Sequence, residues 1–260
     1  MADQPRQLTA PPRSAARLLQ YHDLSESIVS ALDARDTYTA SHSNRVAEMV
    51  LVLAAALGLG PDETTLIHIA AHLHDIGKIA VSDAVLRKAG PLTADEWQEM
   101  RRHPVTGYNI LRRVADFQDI AVLVLHHHER WDGQGYPDGL SGADIPLGSR
   151  IIAVADSIDA MMSSRSYRAA MTGAACRCEI EKNSGIMYDP RVASAALAHW
   201  DTLIGRYAAD TPRAPYFDRL MLERTRQTHD YLVAHQDSRI TLAELAAKFH
   251  LSQSSLKLCF

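Results

Sequence analysis

Apolar residues recur every three or four positions along most of this sequence and alternate with polar ones almost nowhere, so helices are expected and strands are not. Leu18, Leu19, Ile28, Val29 and Leu32 open the pattern. A second helix is predicted over residues 42–57, stopping at Gly58 or Gly60, with Pro61 placed to open the next helix in its first turn. Thr93 and Glu96 form a capping-box pattern ahead of Trp97 and Met100, in a helix that leads toward His103. Residues 120–125 read as an apolar helix that runs into three consecutive histidines, and helix resumes over residues 150–162. One run breaks the pattern. Residues 131–146, WDGQGYPDGLSGADIP, are dense in Gly, Pro and Asp and predict an ordered loop. The expected fold class is therefore all-α, a helical bundle with one long functional loop.

At 260 residues with 47% hydrophobic content, the chain has room for one large domain with a real core and a small appendage. Residues 1–14 read as a flexible tail and residues 15–209 as the main domain. Pro212 and Pro215 mark a linker over residues 210–219, and residues 220–260 read as a separate helical piece. The formal charge of −4 argues against a surface coated in positive charge for nonspecific nucleic-acid binding, so an anionic ligand must be met by a local basic patch. Cys176, Cys178 and Cys259 are too few and too clustered for a disulfide framework and suit a reducing cytosol. The N-terminus has Pro and Arg where a signal peptide needs an apolar core, and no later apolar run reaches about 18 residues. A soluble, cytoplasmic protein with no membrane partner is expected.

The run HDIGK sets His74 beside Asp75 near the end of a predicted helix, with Lys78 one helical turn beyond His74 and on the same face. Neutral imidazole suits transition metals, and a carboxylate can bridge two ions through its two oxygens. An HD dipeptide alone is weak evidence for a metal site. The reading gains weight because His42, His103, His127, His128 and Asp156 each fall at a helix end or beside a loop. Seven such side chains suit two metals with positions left for water and substrate. Two ions about 3.5–4 Å apart hold a bridging hydroxide at neutral pH and stabilise in-line displacement at phosphorus. His68 and His72 are assigned to ordinary surface or packing roles, and His126 to a spacer before the histidine pair.

The ordered set RDTYTASHSNRVAEM, AAHLHDIGKI, RRHPVTGYNIL, HHERWDGQGYPDGLSGADIP, RIIAVADSIDAMMSSRSYR and MYDP resembles the HD-GYP family of cyclic-dinucleotide phosphodiesterases from about residue 35 to residue 192. Gly135, Tyr136 and Pro137 are the residues that match the family's name. The resemblance implies an HD-domain helical bundle in which His42, His74, Asp75, His103, His127, His128 and Asp156 are metal ligands, with Asp75 as the bridge. It makes Lys78 the lysine that approaches the scissile phosphate, and Arg165 and Arg168 the basic positions that contact substrate phosphate. Tyr136 is placed to stack on or wall off a guanine, while Gly133, Gly135 and Gly139 would let backbone approach the ligand; the other reading of this loop is a structural clasp. Some family members carry a glutamate one turn before the first histidine that helps hold a third metal. Tyr38 stands there in this chain, so two divalent metals are expected, with iron or manganese implied by the resemblance. One departure lies in MTGAACRCEI, where Gly173 and the paired cysteines are expected to weaken a helix.

Residues 220–260 resemble the first half of an AraC-type helix-turn-helix region, with Thr241 and Glu244 as a capping box and a recognition-like helix from Ser252. Lys257 is the one cation that this last helix offers, and phosphate contacts supply most affinity for DNA. A vestigial or homodimer-stabilising tail is therefore preferred to DNA binding. The function implied is hydrolysis of cyclic di-GMP by a metal-bridging hydroxide, giving pGpG and, by a second cut, GMP. Two rivals are an HD-superfamily phosphohydrolase acting on mononucleotides, which the GYP loop disfavours, and a noncatalytic cyclic-dinucleotide sensor coupled to the helix-turn-helix.

Overall fold

The computed structural model describes residues 25, 28, 29, 32, 42–163, 169–205 and 207. The chain divides into two units, residues 1–209 and 210–260, and all described residues belong to the first. Tyr38, Arg165 and Arg168, the tail at residues 1–14, the linker at 210–219 and the helix-turn-helix-like piece at 220–260 lie outside the described residues.

The first unit is helical as its apolar spacing predicts, and no named strand occurs among the described residues. Helix α1 is His42–Ala56 and α2 is Pro61–Leu73, followed by a 3-10 turn at Ile76–Ala80. Short helices α3 (Asp83–Leu86) and α4 (Ala94–Met100) lead to α5 (His103–Leu111) and α6 (Gln118–Leu125). After the long loop come α7 (Leu147–Met162), α8 (Gly173–Lys182), α9 (Pro190–Ala198) and α10 (Trp200–Ile204).

Helix α1 packs on α2 and α7, while α5 packs on the 3-10 turn and on α6. Val46, Met49, Val50 and Leu53, at helical spacing on α1, are fully buried with Ile67 and Leu73 of α2, Ile120 and Val124 of α6, and Ile151, Ile152 and Ile158 of α7. Each such aliphatic side chain contributes about 1.5–3 kcal/mol relative to exposure, which makes this junction the main source of stability. It also brings three helix ends to one place, because the last turns of α2 and α6 and the first residue of α1 all border it.

The predicted capping box is present: Thr93 Oγ1 accepts from the Glu96 amide at 3.4 Å, and Glu96 accepts from the Thr93 amide at 2.6 Å. Two expectations change. The stretch at 173–182 is a regular helix, because Gly173 falls at its first position, the Thr172 hydroxyl accepts from the Ala175 amide at 3.2 Å, and Cys176 and Ile180 are fully buried. Helix α2 ends at Leu73, so Lys78 lies on the 3-10 turn, three residues from Asp75, and not one α-turn beyond His74 on a continuous helix.

The loop at 131–146 is ordered and closes on the protein. The amides of Trp131 and Asp132 donate to the carbonyls of Met187 and Ile186 at 3.1 and 2.9 Å, and Glu129 Oε1 accepts from the amides of Asp138 and Gly139. A Cβ on Gly135 would lie 2.4 Å from the Arg130 nitrogen, so Gly135 serves close backbone packing of the loop on residues 129–130. No described helix is long and apolar enough to cross a membrane.

Candidate metal centre

His42 is the first described residue of α1, His74 and Asp75 follow α2, His103 opens α5, and His127 and His128 follow α6, whereas Asp156, expected at a helix end or beside a loop, lies in the interior of α7. Helix ends carry most of these side chains because a residue there can leave the helix path while its helix stays packed. The fold brings them into two groups whose ligand atoms lie within 4.8 Å of one another: His42, His74 and Asp75 in one, His103, His127 and His128 in the other. Asp75 stands between the groups. Its Oδ1 is 3.4 Å from His103 Nε2, and its Oδ2 is 3.3 Å from His74 Nε2 and 3.8 Å from His42 Nε2. Asp156 Oδ1 is 3.3 Å from His42 Nε2.

Four of the imidazoles, those of His42, His74, His103 and His127, are held through Nδ1. Nδ1 of His74 donates to the Ala71 carbonyl at 2.7 Å, that of His103 to Met100 at 2.8 Å, and that of His127 to Val124 at 2.7 Å. Each acceptor lies three residues back in the chain, so the helix end itself orients the ring and leaves Nε2 bare. His42 Nδ1 donates instead to the Asp159 carboxylate at 2.7 Å. Ring nitrogens anchored on one side and open on the other are the arrangement that metal-ligating histidines adopt.

Three observations test whether these residues fit a metal. His74 Nε2 is buried and has no hydrogen-bond partner. The Nε2 atoms of His103 and His127 face each other at 3.3 Å, although both rings already donate through Nδ1. Donor atoms about 2.0–2.2 Å from a common cation lie roughly 3–4 Å apart, as these do. Lone pairs aimed at one another in a buried space suit a cation, and the donor set fits.

The electrostatics follow from burial. Burial lowers the His103 pKa to about 3 and that of His128 to about 4, against the opposing pull of Asp75 and Asp156. His127 is also lowered, by burial and then by the His128 and His74 imidazoles. Burial would raise the Asp75 carboxyl, but Lys78 and His74 hold it well below its usual range. Burial also works against His42, yet its hydrogen bonds and charge contacts with Asp156 and Asp159 carry it up to about 9. Asp75 and Asp156 are thus held ionised and His103, His127 and His128 neutral, the forms in which such groups ligate a metal.

Lys78 donates to Asp75 Oδ2 at 2.6 Å and remains partly exposed beside the cluster. Tyr136 stacks on His128, with ring centroids 4.9 Å apart and planes at 28°, so it walls the centre beside that imidazole. The Arg101 guanidinium lies 5.3 Å from the Tyr136 ring and 5.9 Å from that of Trp97. Sequence reasoning did not single out Arg101 and named Trp97 only as a helix position.

The histidines assigned other roles are in neither ligand group. His126 bridges the Val122 carbonyl and Asp138, while His68 and His72 are buried and pair with each other at 3.2 Å. Asp159 is a further residue that sequence reasoning missed. It is 1% exposed and accepts from His42, Arg45, Ser163 and Tyr207. Its signal was available, a second aspartate three residues after Asp156 and within an apolar stripe.

Residues 26–192 match the family model described as HD domain. The chain is similar to the cyclic di-GMP phosphodiesterase response regulator RpfG of Xanthomonas campestris pv. campestris, 41% identical over 191 residues that cover 72% of this chain and 50% of that protein. It is similar to the 3'3'-cGAMP-specific phosphodiesterase 2 of Vibrio cholerae, 39% identical over 70% of this chain and 35% of that one. A cyclic di-GMP phosphodiesterase of Thermotoga maritima is 43% identical over 63% of this chain and 45% of its own. The chain spans half or less of the length of these relatives. Among solved structures, the cyclic GMP-AMP specific phosphodiesterase V-cGAP3 of V. cholerae matches with a TM-score of 0.55 at 21% identity, over 72% of this chain and 51% of that one. The HD domain of the L. monocytogenes phosphodiesterase PgpH, in complex with cyclic-di-AMP, matches with a TM-score of 0.53 at 19% identity, over 72% of this chain and all of that one. At these identities the structural likeness is one of fold.

Proposed function

Because the chain belongs to the HD domain family and gathers its histidines around a carboxylate that faces two ligand groups, we propose that it is a metal-dependent phosphodiesterase that hydrolyses a cyclic dinucleotide. The observation that carries this reading is the division of Asp75, with Oδ1 toward His103 and Oδ2 toward His74 and His42. His42, His74, Asp75, His103, His127, His128 and Asp156 would hold two divalent cations, and a nitrogen-rich set with carboxylates suits iron or manganese. When bound, such ions lower the pKa of a water and neutralise charge on a phosphodiester.

The chain's own residues supply the rest. Lys78, poised on Asp75, carries a charge that can shift to the extra negative charge developing on the scissile phosphate. Tyr136 offers an aromatic wall for a guanine, and Arg101 sets a cation beside it. Arg165 and Arg168, by the family resemblance, would meet substrate phosphate. Relatives at 37–43% identity are named for cyclic di-GMP or 3'3'-cGAMP, and cyclic di-GMP is the substrate assigned here. The product is pGpG, and GMP where a second bond is cut. Residues 15–209 would carry this activity, with residues 220–260 as a tail joined by the linker.

The test is anaerobic purification, metal analysis and a cyclic di-GMP hydrolysis assay beside Asp75→Ala. Two metals per chain, with both metal and turnover lost in the variant, is the expected result. Metal-free protein that binds the dinucleotide without cleaving it would overturn the reading in favour of a sensor.

A further inference from the structure

His42 differs from His74, His103 and His127 in what holds it. His74, His103 and His127 are oriented by carbonyls of their own helix ends, three residues away. His42 is the first described residue of α1, and its Nδ1 donates to a side chain on another helix. Its ring depends on Asp159, which lies 117 residues later in the chain. A ligand held in this way is placed only as firmly as the carboxylate that holds it.

Asp159 is itself fixed from two further elements. Arg45, on α1, donates Nε to Oδ1 at 2.5 Å and Nη2 to Oδ2 at 3.0 Å. Tyr207, beyond α10, donates its hydroxyl to Oδ1 at 2.5 Å. Ser163 donates to Oδ2 at 3.3 Å. Oδ2 also accepts from His42 Nδ1, and the donors on Oδ1 help keep the carboxylate from rotating away from the ring. Without the phenol, Oδ1 keeps one donor among these, and that donor sits on the same helix as His42.

We propose that Tyr207 is a positioning residue for the metal ligand His42 and acts through Asp159. The proposal rests on the reading of the cluster as a two-metal centre. It ties one half of that centre to Tyr207, whereas His103 and His127 of the other half are oriented by the carbonyls of Met100 and Val124. Loss of a direct orienting partner lowers metal affinity by about 10–100-fold. Tyr207 acts one hydrogen bond further out, so a smaller loss of about 3–10-fold is expected, and at one site alone.

The test uses the full chain, stripped of metal, titrated with Mn²⁺ against a competing chelator, for wild type, Tyr207→Phe, Asp159→Asn and the double variant. Phenylalanine keeps the ring and its packing, and melting of the metal-free proteins reports on the fold. The expected result is an unchanged metal-free melting temperature for Tyr207→Phe, with one of two Mn²⁺ sites weakened about 3–10-fold and the other unmoved. Asp159→Asn should weaken the same site further, and the double variant should bind no worse than Asp159→Asn, because the two side chains act in series. Wild type that binds no Mn²⁺ would overturn the two-metal reading itself. Wild type with two sites and a Tyr207→Phe variant that matches it, weakens both sites equally, or adds its full loss to that of Asp159→Asn would overturn the role of Tyr207 alone.

Discussion

Gly77 and the His103 carbonyl are in contact so close that a Cβ on Gly77 would lie 1.8 Å from that oxygen and 2.6 Å from the Gly107 nitrogen. The 3-10 turn after Asp75 therefore lies directly on the first turn of α5. This contact sets the distance between the two ligand groups, since Asp75 precedes the turn and His103 opens the helix.

Gly77→Ala should consequently separate the turn from α5. Overpacking in a well-packed region costs about 1–3 kcal/mol, and the atoms met are all backbone atoms of α5, with no flexible side chain to yield. Urea denaturation is expected to place the loss at the top of that range or above, with metal content reduced in parallel. An unchanged midpoint would show that the turn can move without harm.

Lys78→Met keeps the length of the side chain and removes its charge. Metal content should hold near the wild-type level, because Asp75 keeps its imidazole neighbours, while kcat should fall about 10²–10³-fold, as for the loss of a donor to developing charge. A variant with normal kcat and a raised KM would instead assign Lys78 to ground-state binding.

The capping box of α4 carries a pH signature. Glu96 is held below its ordinary range by its hydrogen bonds to Lys88 and then to the Thr93 amide. A depressed carboxyl contributes stability that is present above its unfolded pKa of about 4.3 and is lost as pH falls through the folded value. Wild type should therefore exceed Glu96→Gln in thermal stability near pH 7, and the gap should close in acid, below about pH 4. A gap independent of pH would mean that the neutral amide caps as well as the carboxylate.

Local features were legible because they are written in short spacings. Pro61 at the start of α2, the Thr93–Glu96 box and the Gly-rich loop each depend on residues within a few positions of one another. The helix at 173–182 was underestimated because propensity treats Gly173 as an interior residue, whereas a cap and two buried side chains decide the matter. Lys78 was placed on the wrong kind of turn because a 3-10 segment and the end of an α-helix share the same local pattern. Gly135 looked like a ligand-facing glycine, and what crowds it is the protein's own backbone at Glu129 and Arg130.

By itself, the sequence determined the helical class, the ordered loop and the inventory of imidazoles and carboxylates, because periodicity, turn chemistry and donor type are local properties of the chain. The packing of α1, α2, α5, α6 and α7 decided that Asp75 faces both ligand groups, which nitrogens stay bare, and that Asp159, Arg45 and Tyr207 stand behind His42. These are contacts between residues up to 117 positions apart, and hydrogen-bond geometry at that separation exists only once the helices that carry the partners have packed.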